Sequence, residues 1–290
     1  MQKNLNENIH EIFPNLEWKK SKHISSGWDH DILLLDNKYV TRIPKNNDAR
    51  KRMLVDYNLL SYLQNIIDAD IPKPIYKDAK SKTAIYSVVT GSPMSEARYK
   101  KFNPSEKKKF AKNISLFLSQ IHNTPIELAL KAHVRNTSVS KQNKEIFADV
   151  KFIDTFITSR EKISVVNFLK RRKLLLKDFK PTLIHGDLTS DNVFVNKKTG
   201  NSLGIIDFSD SIISDPARDF AALFSYGENF VRSVLSFYQT TSDSDIYERA
   251  QIYYQDMAIK LLALAYKGSK FITKKDAKRL FHQRLKIKKV

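Results

Sequence analysis

The chain has no cysteine. That excludes a disulfide-stapled secreted scaffold and any thiolate-ligated metal site. It also has no long hydrophobic run. The longest, such as residues 32–35 and 261–266, fall far short of the roughly 20 apolar residues a membrane-spanning helix needs. Residues 1–14 show no charged stretch leading into an apolar one, so no signal peptide is expected and the chain reads as a soluble cytoplasmic protein. Repeats and low-complexity segments are missing. So are helix-turn-helix, zinc-finger and RNA-binding aromatic motifs, and nucleic acid is therefore not an expected partner. Acid is scarce relative to base: 31 Asp and Glu face 50 Lys and Arg, a formal charge of +19. Such a charge attracts nucleic acids, anionic surfaces and nucleotides. The Lys residues are spread along the chain, however, which reads mainly as a solvated surface.

What is present suffices for a sizeable core: 290 residues, 41% hydrophobic and 11% aromatic. The first third has strand character. Residues 18–24 read as a weak strand and 31–35 as a strong one. Asp36-Asn37-Lys38 reads as a hairpin turn and 39–43 as the return strand, closed by Pro44. Apolar residues at Met53, Leu54, Tyr57, Leu60, Leu63 and Ile67 predict a helix over 48–67, broken by Pro72 and Pro74. Another strand follows at 83–89, then a turn at Gly91-Ser92-Pro93. Beyond it the chain turns helical. Pro104-Ser105 opens one helix ending near His122, and a second helical stretch covers 144–176. Short apolar runs between 182 and 208 interrupt the helices. The C-terminal segment 267–290 is dense in Lys and Arg and carries apolar residues at Phe271, Leu280, Phe281, Leu285 and Ile287, which reads as a basic amphipathic helix packed on the body. Strands first and helices later imply an α+β fold, with one unit over 1–91 and a second over 92–290.

The informative stretch is 183–220. Phosphoryl transfer requires a group that orients or deprotonates the acceptor, oxygen ligands for a metal on the phosphates, and a frame that holds them in line. Asp187 follows an apolar strand-like run, where its carboxylate can accept a hydroxyl proton. Asn192 lies on the same loop and Asp207 ends the next apolar run; both offer the oxygen ligands Mg²⁺ prefers. His185 reads as a structural residue that fixes the loop. Individually these are ordinary turn residues. At residue frequencies of about one in twenty, His-Gly-Asp with Asn five positions on arises by chance roughly once in several hundred chains.

His185-Gly186-Asp187-Leu188, Asn192 and Ile206-Asp207-Phe208 resemble the catalytic and metal-binding loops of aminoglycoside phosphotransferases, which share the protein-kinase-like fold. The resemblance implies a bilobal structure, with a small β-rich N-terminal lobe that binds nucleotide and a larger helical lobe for catalysis and substrate. It implies Asp187 as catalytic base, Asn192 and Asp207 as Mg²⁺ ligands, and ATP or GTP as phosphate donor. Asp215-Pro216-Ala217-Arg218-Asp219-Phe220 is similar to the family's Asp-Pro-x-x-Asp-Phe, with Asp215 and Asp219 expected to buttress the catalytic loop. Ser25, Ser26 and Gly27 resemble its nucleotide-positioning loop. Arg42 stands where kinases carry a phosphate-binding Lys, with Asp56 as its expected acidic partner and Lys45 as an alternative phosphate contact. Ser87, Val88 and Val89 fall at the expected interlobe hinge. His122 reads as a helix-end cap. The similarity covers about residues 16–224.

The expected acceptor is an aminoglycoside-type antibiotic, bound by carboxylates in the helical last third, with Glu228 and Asp256 as the candidates. A macrolide, choline-like or homoserine-like alcohol is the alternative. A nucleotide-binding pseudokinase is disfavoured by the intact Asp187, Asn192 and Asp207. A monomer is expected.

Overall fold

The computed structural model describes residues 9–24, 29–78, 83–177, 179–197, 201–239 and 243–287. Its first sheet has the strand order β1-β2-β3-β5-β4 and is antiparallel throughout. The strands are β1 (Ser21–Ile24), β2 (His30–Leu35), β3 (Tyr39–Pro44), β4 (Pro74–Lys77) and β5 (Ala84–Ser87). The expected hairpin joins β2 to β3. Asp36 and Asn37 both take positive φ, 48° and 53°, the left-handed pair that matches strand twist in a two-residue turn. β4 is an element the sequence reading missed. It opens on Pro74 at the sheet edge, where the missing N–H breaks no ladder bond.

Helix α1 (Asn47–Leu63) crosses behind the sheet. Asn46 caps it by accepting the Ala49 N–H at 2.8 Å. Its buried residues Ala49, Met53, Asp56, Leu59, Leu60 and Leu63 recur at helical spacing. Leaving the sheet, the chain enters β6 (Ser92–Pro93), α2 (Glu96–Lys100), α3 (Pro104–His122), α4 (Ile126–Lys131) and β7 (Arg135–Asn136). The helical stretch expected over 144–176 is two helices, α5 (Val139–Ile153) and α6 (Ser159–Leu175). A turn at Asp154–Phe156 separates them, and Thr158 with Glu161 forms a capping box that restarts the helix.

Two three-stranded sheets then frame the loops of interest. β8 (Thr182–Ile184) and β11 (Ile212–Ser214) pair antiparallel, with β7 on the far side of β11. β9 (Val193–Asn196) and β10 (Ser202–Ile205) form a hairpin with β6 at its edge. Residues 185–192 thus link β8 to β9, and residues 206–211 link β10 to β11. The two loops lie side by side because Ile184 pairs with Ile212. The remainder is helical: α7 (Ala217–Leu223), α8 (Glu228–Leu235), α9 (Ile246–Tyr266) and α10 (Lys274–Arg284). No helix among the described residues is long and apolar enough to cross a membrane.

One principal core runs from Met53 on α1 through Phe110 and Phe117 on α3 to Ile259 on α9 and Phe281 on α10. A smaller cluster of Ile9, Phe13, Leu16, Leu33, Leu35 and Ile85 covers the other face of the first sheet. The segment around Asp70 stitches this sheet to the helical part. Its N–H donates to the Leu203 carbonyl and its carbonyl accepts from Ile205, both at 2.9 Å. Gly204 between them has no room for a side chain, since a Cβ there meets Val89 Cγ1 at 2.5 Å.

The basic C-terminal segment packs on the body through Ala277 and Phe281, while Phe271 stays 67% exposed. Glu161 at the start of α6 holds α10 in place. Its carboxylate accepts from Lys278 at 2.9 Å, from the Thr158 N–H at 2.7 Å and from His282. Burial alone raises this carboxyl, but the Lys278, Thr158 and His282 hydrogen bonds outweigh it and bring its pKa down to about 2. A depressed folded-state pKa gives stability that is present above the ordinary value of 4.5 and lost as pH falls toward 2. Glu161→Gln is therefore expected to lower the urea midpoint at pH 7. The gap from wild type should narrow as pH drops through that window; a gap independent of pH contradicts the assignment.

Candidate active site

Asp219, fully buried on α7, organises the loop after β8. One of its oxygens accepts the Gly186 N–H at 2.8 Å, and the other accepts the His185 N–H at 2.9 Å. His122, at the end of α3, donates Nε2–H to the same second oxygen at 3.0 Å, while its Nδ1 accepts the Tyr238 hydroxyl at 2.6 Å. Burial works against this charge, but the His122 hydrogen bond and the loop N–H groups more than offset it and hold Asp219 below the usual carboxylate range. His122 is thus a buried orienting group and not the helix-end cap expected from sequence. Asp215 differs from expectation too. It pairs with the Arg249 guanidinium at 2.8 and 3.1 Å and so anchors α9, while Asp219 alone holds the loop.

The loop itself is tightly determined. His185 is buried, donates Nε2–H to the Ile206 carbonyl at 3.1 Å and accepts the Asp187 N–H on Nδ1 at 3.3 Å. Its ring meets Phe208 edge-on with centroids 4.7 Å apart, which ties the two neighbouring loops together. Gly186 takes φ +85°, and a Cβ there meets the Asp210 carbonyl oxygen at 2.3 Å. Only glycine suits both the torsion and the approach.

Asp187, Asn192 and Asp207 converge as the spacing implied. Asn192 donates Nδ2–H to the Asp187 carboxylate at 2.8 Å and to the Asp187 carbonyl at 2.9 Å. Asp207 sits in the left-handed region at φ 67°, and Ser209 donates its hydroxyl to Asp207 Oδ1 at 2.6 Å. Positive φ at a non-glycine residue stores strain, which is characteristic of functional positions. The two carboxyls are driven apart. Burial raises Asp187, reinforced by the charges of Asp210 and Asp207. Burial also opposes the Asp207 charge, but Arg42 and Ser209 outweigh it and hold Asp207 below its ordinary value. Carboxyls pushed in opposite directions in one cleft suit different roles.

Arg42 reaches this cleft from β3. The strand is central, so Arg42 is buried and not the surface residue of an edge strand. Its Nη1 donates to Asp56 at 3.3 Å and lies 3.8 Å from Asp207. The guanidinium stacks on the Tyr86 ring, 5.1 Å from its centroid. Asp56 is fully buried behind Arg42 and positions it. Neighbouring His30 is buried as well, which together with Arg42 lowers its pKa to about 4 and keeps the ring neutral.

Other expected positions fare differently. Ser25, Ser26 and Gly27 lie outside the described residues. Lys45 Nζ lies 3.8 Å from Asp31. The Ser87 N–H donates to the Lys73 carbonyl and its hydroxyl accepts the Lys73 N–H, both at 2.9 Å. Val88 donates to the Lys38 carbonyl at 2.9 Å, which leaves the Val89 N–H as the amide of the three without a partner among the described residues. Glu228 is not brought to the cleft; it opens α8 and lies 3.8 Å from Lys286. Asp256 lines the cavity beside Asp187, but both its oxygens are taken by Arg172 Nε at 2.9 and 3.1 Å. Tyr86 and Arg172 were missed by the sequence reading. Tyr86 was recoverable, since it pairs with Val40 and so shares a sheet face with Arg42. Arg172 carries no local signal.

A sequence profile of the phosphotransferase enzyme family matches residues 20–253. Among solved structures, the GDP complex of wild-type aminoglycoside 2'-phosphotransferase-IIIa superposes with a TM-score of 0.85 at 20% identity, covering 98% of both chains. The streptomycin-ATP-APH(2")-IIa ternary complex gives 0.75 at 20% identity over 99% of this chain and 97% of that one. The macrolide 2'-phosphotransferase from Brachybacterium faecium gives 0.71 at 15% identity over 100% of both. These likenesses fix the fold as that of the aminoglycoside phosphotransferases, a sheet lobe joined to a helical lobe. With the profile covering most of its length, the chain belongs to the phosphotransferase enzyme family.

Proposed function

We propose that this phosphotransferase moves the terminal phosphoryl group of a nucleoside triphosphate, ATP or GTP, to a hydroxyl of a small molecule. The observation that carries the reading is the convergence of Asp187, Asn192 and Asp207 at one cleft, with Arg42 facing them from the sheet. Solved relatives bound to GDP or ATP support a nucleotide as donor.

The donor set fits a hard divalent cation. The Asp207 side chain is 44% exposed and offers carboxylate oxygens. Asn192 has given its NH₂ to Asp187, so its remaining donor atom is the amide oxygen. Among the described residues no group of three or more His, Cys, Asp or Glu side chains is arranged to hold a metal. Mg²⁺ needs only one or two protein ligands and completes its shell with phosphates and water. Asp207 and Asn192 would hold it, and when bound it supplies charge neutralisation at the phosphate oxygens.

The residues of this chain account for the rest. Arg42, kept protonated by Asp56 and Asp207 against the cost of burial, presents a guanidinium suited to phosphate oxygens. Asp187, oriented by Asn192, accepts a hydrogen bond from the acceptor hydroxyl. As that oxygen bonds to the terminal phosphorus and the bond to the leaving diphosphate breaks, the hydroxyl proton passes to the Asp187 carboxylate.

Asp187→Asn should cut kcat by about 10²–10⁴-fold with ATP affinity retained, measured by coupled ADP release and calorimetry. Wild-type turnover in that variant sinks the assignment. Arg42→Met should act on the other parameter, weakening ATP binding by roughly tenfold or more, as expected for loss of a charged hydrogen bond. Unchanged calorimetric affinity removes Arg42 from the phosphate site.

A further inference from the structure

The cavity beside Asp187 encloses about 300 Å³, the small end of the range for ligand pockets of about 300–1,000 Å³. Its charges run against a polycationic acceptor. Three acids line it: Asp187, Glu145 and Asp256. Asp256 is occupied by Arg172 through both oxygens, and Glu145 lies 3.8 Å from Lys260. Only Asp187, the proposed base, is left without a cationic partner.

Two cations remain on the other side of the ledger. Arg218 on α7 and Arg284 at the end of α10 line the same cavity; among the described residues neither forms a direct ion pair, Asp256 and Glu96 acting on them only from a distance. Each rests on an aromatic face instead. Arg218 lies 5.8 Å from the Tyr253 ring centroid, and Arg284 lies 4.1 Å from that of Tyr254. Their remaining bonds are long: Arg218 Nη1 to Ser214 Oγ at 3.5 Å, and Arg284 Nη1 to the Tyr254 carbonyl at 3.4 Å. A guanidinium stacked on a ring keeps its N–H edge open for an oxyanion. Behind the cavity wall, Arg284 Nε and Ser225 Oγ are buried without a hydrogen-bond partner. Burial weakens the Arg284 hold on its proton, the mark of a desolvated cation that an anion would stabilise.

We propose that the acceptor is an alcohol that also carries an oxyanion, a carboxylate or a phosphate monoester, seated on Arg218 and Arg284. The proposal rests on the reading of Asp187 as the base beside the acceptor hydroxyl. It departs from the cationic antibiotic expected from sequence, because the carboxylates that such a ligand needs are already paired. Arg284 and Tyr254 lie beyond residue 253, the last position that the family profile matches.

The test is a calorimetric titration of the full chain with four probes of one carbon skeleton, with and without a saturating non-hydrolysable ATP analogue and Mg²⁺. Gluconate and glucose 6-phosphate carry the two oxyanions, sorbitol is neutral and glucosamine is cationic. Kanamycin serves as a polycation. At least one anionic probe should bind tenfold or more tightly than sorbitol and glucosamine. Arg284→Met should erase the preference while affinity for the ATP analogue holds. Arg218→Met, on a different helix, serves if the first variant does not fold. Gluconate above glucose 6-phosphate assigns a carboxylate, and the reverse assigns a phosphate monoester. Tighter binding of glucosamine or kanamycin, an anion preference that survives both substitutions, or no binding of either anion overturns the proposal. Failure of the wild type to bind the ATP analogue strikes instead at the phosphotransfer reading, and the titrations without nucleotide keep the two outcomes separate.

Discussion

A single buried carboxylate, Asp219, holds the candidate catalytic loop in shape. It collects the His185 and Gly186 backbone N–H groups and the His122 ring, so the loop has no competing place to go. Burying an ion is costly unless its hydrogen bonds are met, and here three donors meet it. The same contact explains why the neighbouring residues are what they are. Gly186 must allow the chain to pass the Asp210 carbonyl, and His185 must bridge to the loop that carries Asp207. Any acid–base role for Asp187 depends on this fixed frame.

A second ion pair does for the sheet lobe what Asp219 does for the helical lobe. Arg42 cannot point toward the cleft unaided, since burial opposes its charge. Asp56 balances it from behind, Tyr86 supports it from below and Asp207 faces it across the interlobe gap. The pair thereby joins strand β3 to helix α1 across 3.3 Å. The backbone bridge at Asp70 and the missing side chain at Gly204 keep the lobes close enough for that geometry to matter.

Legibility in the sequence followed the locality of the physics. The hairpin at Asp36-Asn37, α1, and the loop residues Asp187, Asn192 and Asp207 were readable because turn chemistry, helical spacing and short motifs are local signals. The Arg42–Asp56 pair was readable because strand and helix adjoin in the chain. Functions set by distant packing were not. Asp215 and Asp219 look equivalent within one motif, yet one is claimed by Arg249 and the other by the loop. His122 looks like a helix terminus until its partners on two other segments are seen. Glu228 and Asp256 were plausible as acids in the right third of the chain, but which acids are free is decided by their neighbours, as Arg172 shows. The break at Asp154–Phe156 was hidden because the residues on both sides favour helix.

The docking of α10 links the tail of the chain to the chemistry. Glu161 grips Lys278 and His282, and the same helix ends in Arg284, which lines the cavity beside Asp187. One wall of that cavity is thereby carried on a helix distant in sequence from Asp187, yet seated through Phe281 in the same core.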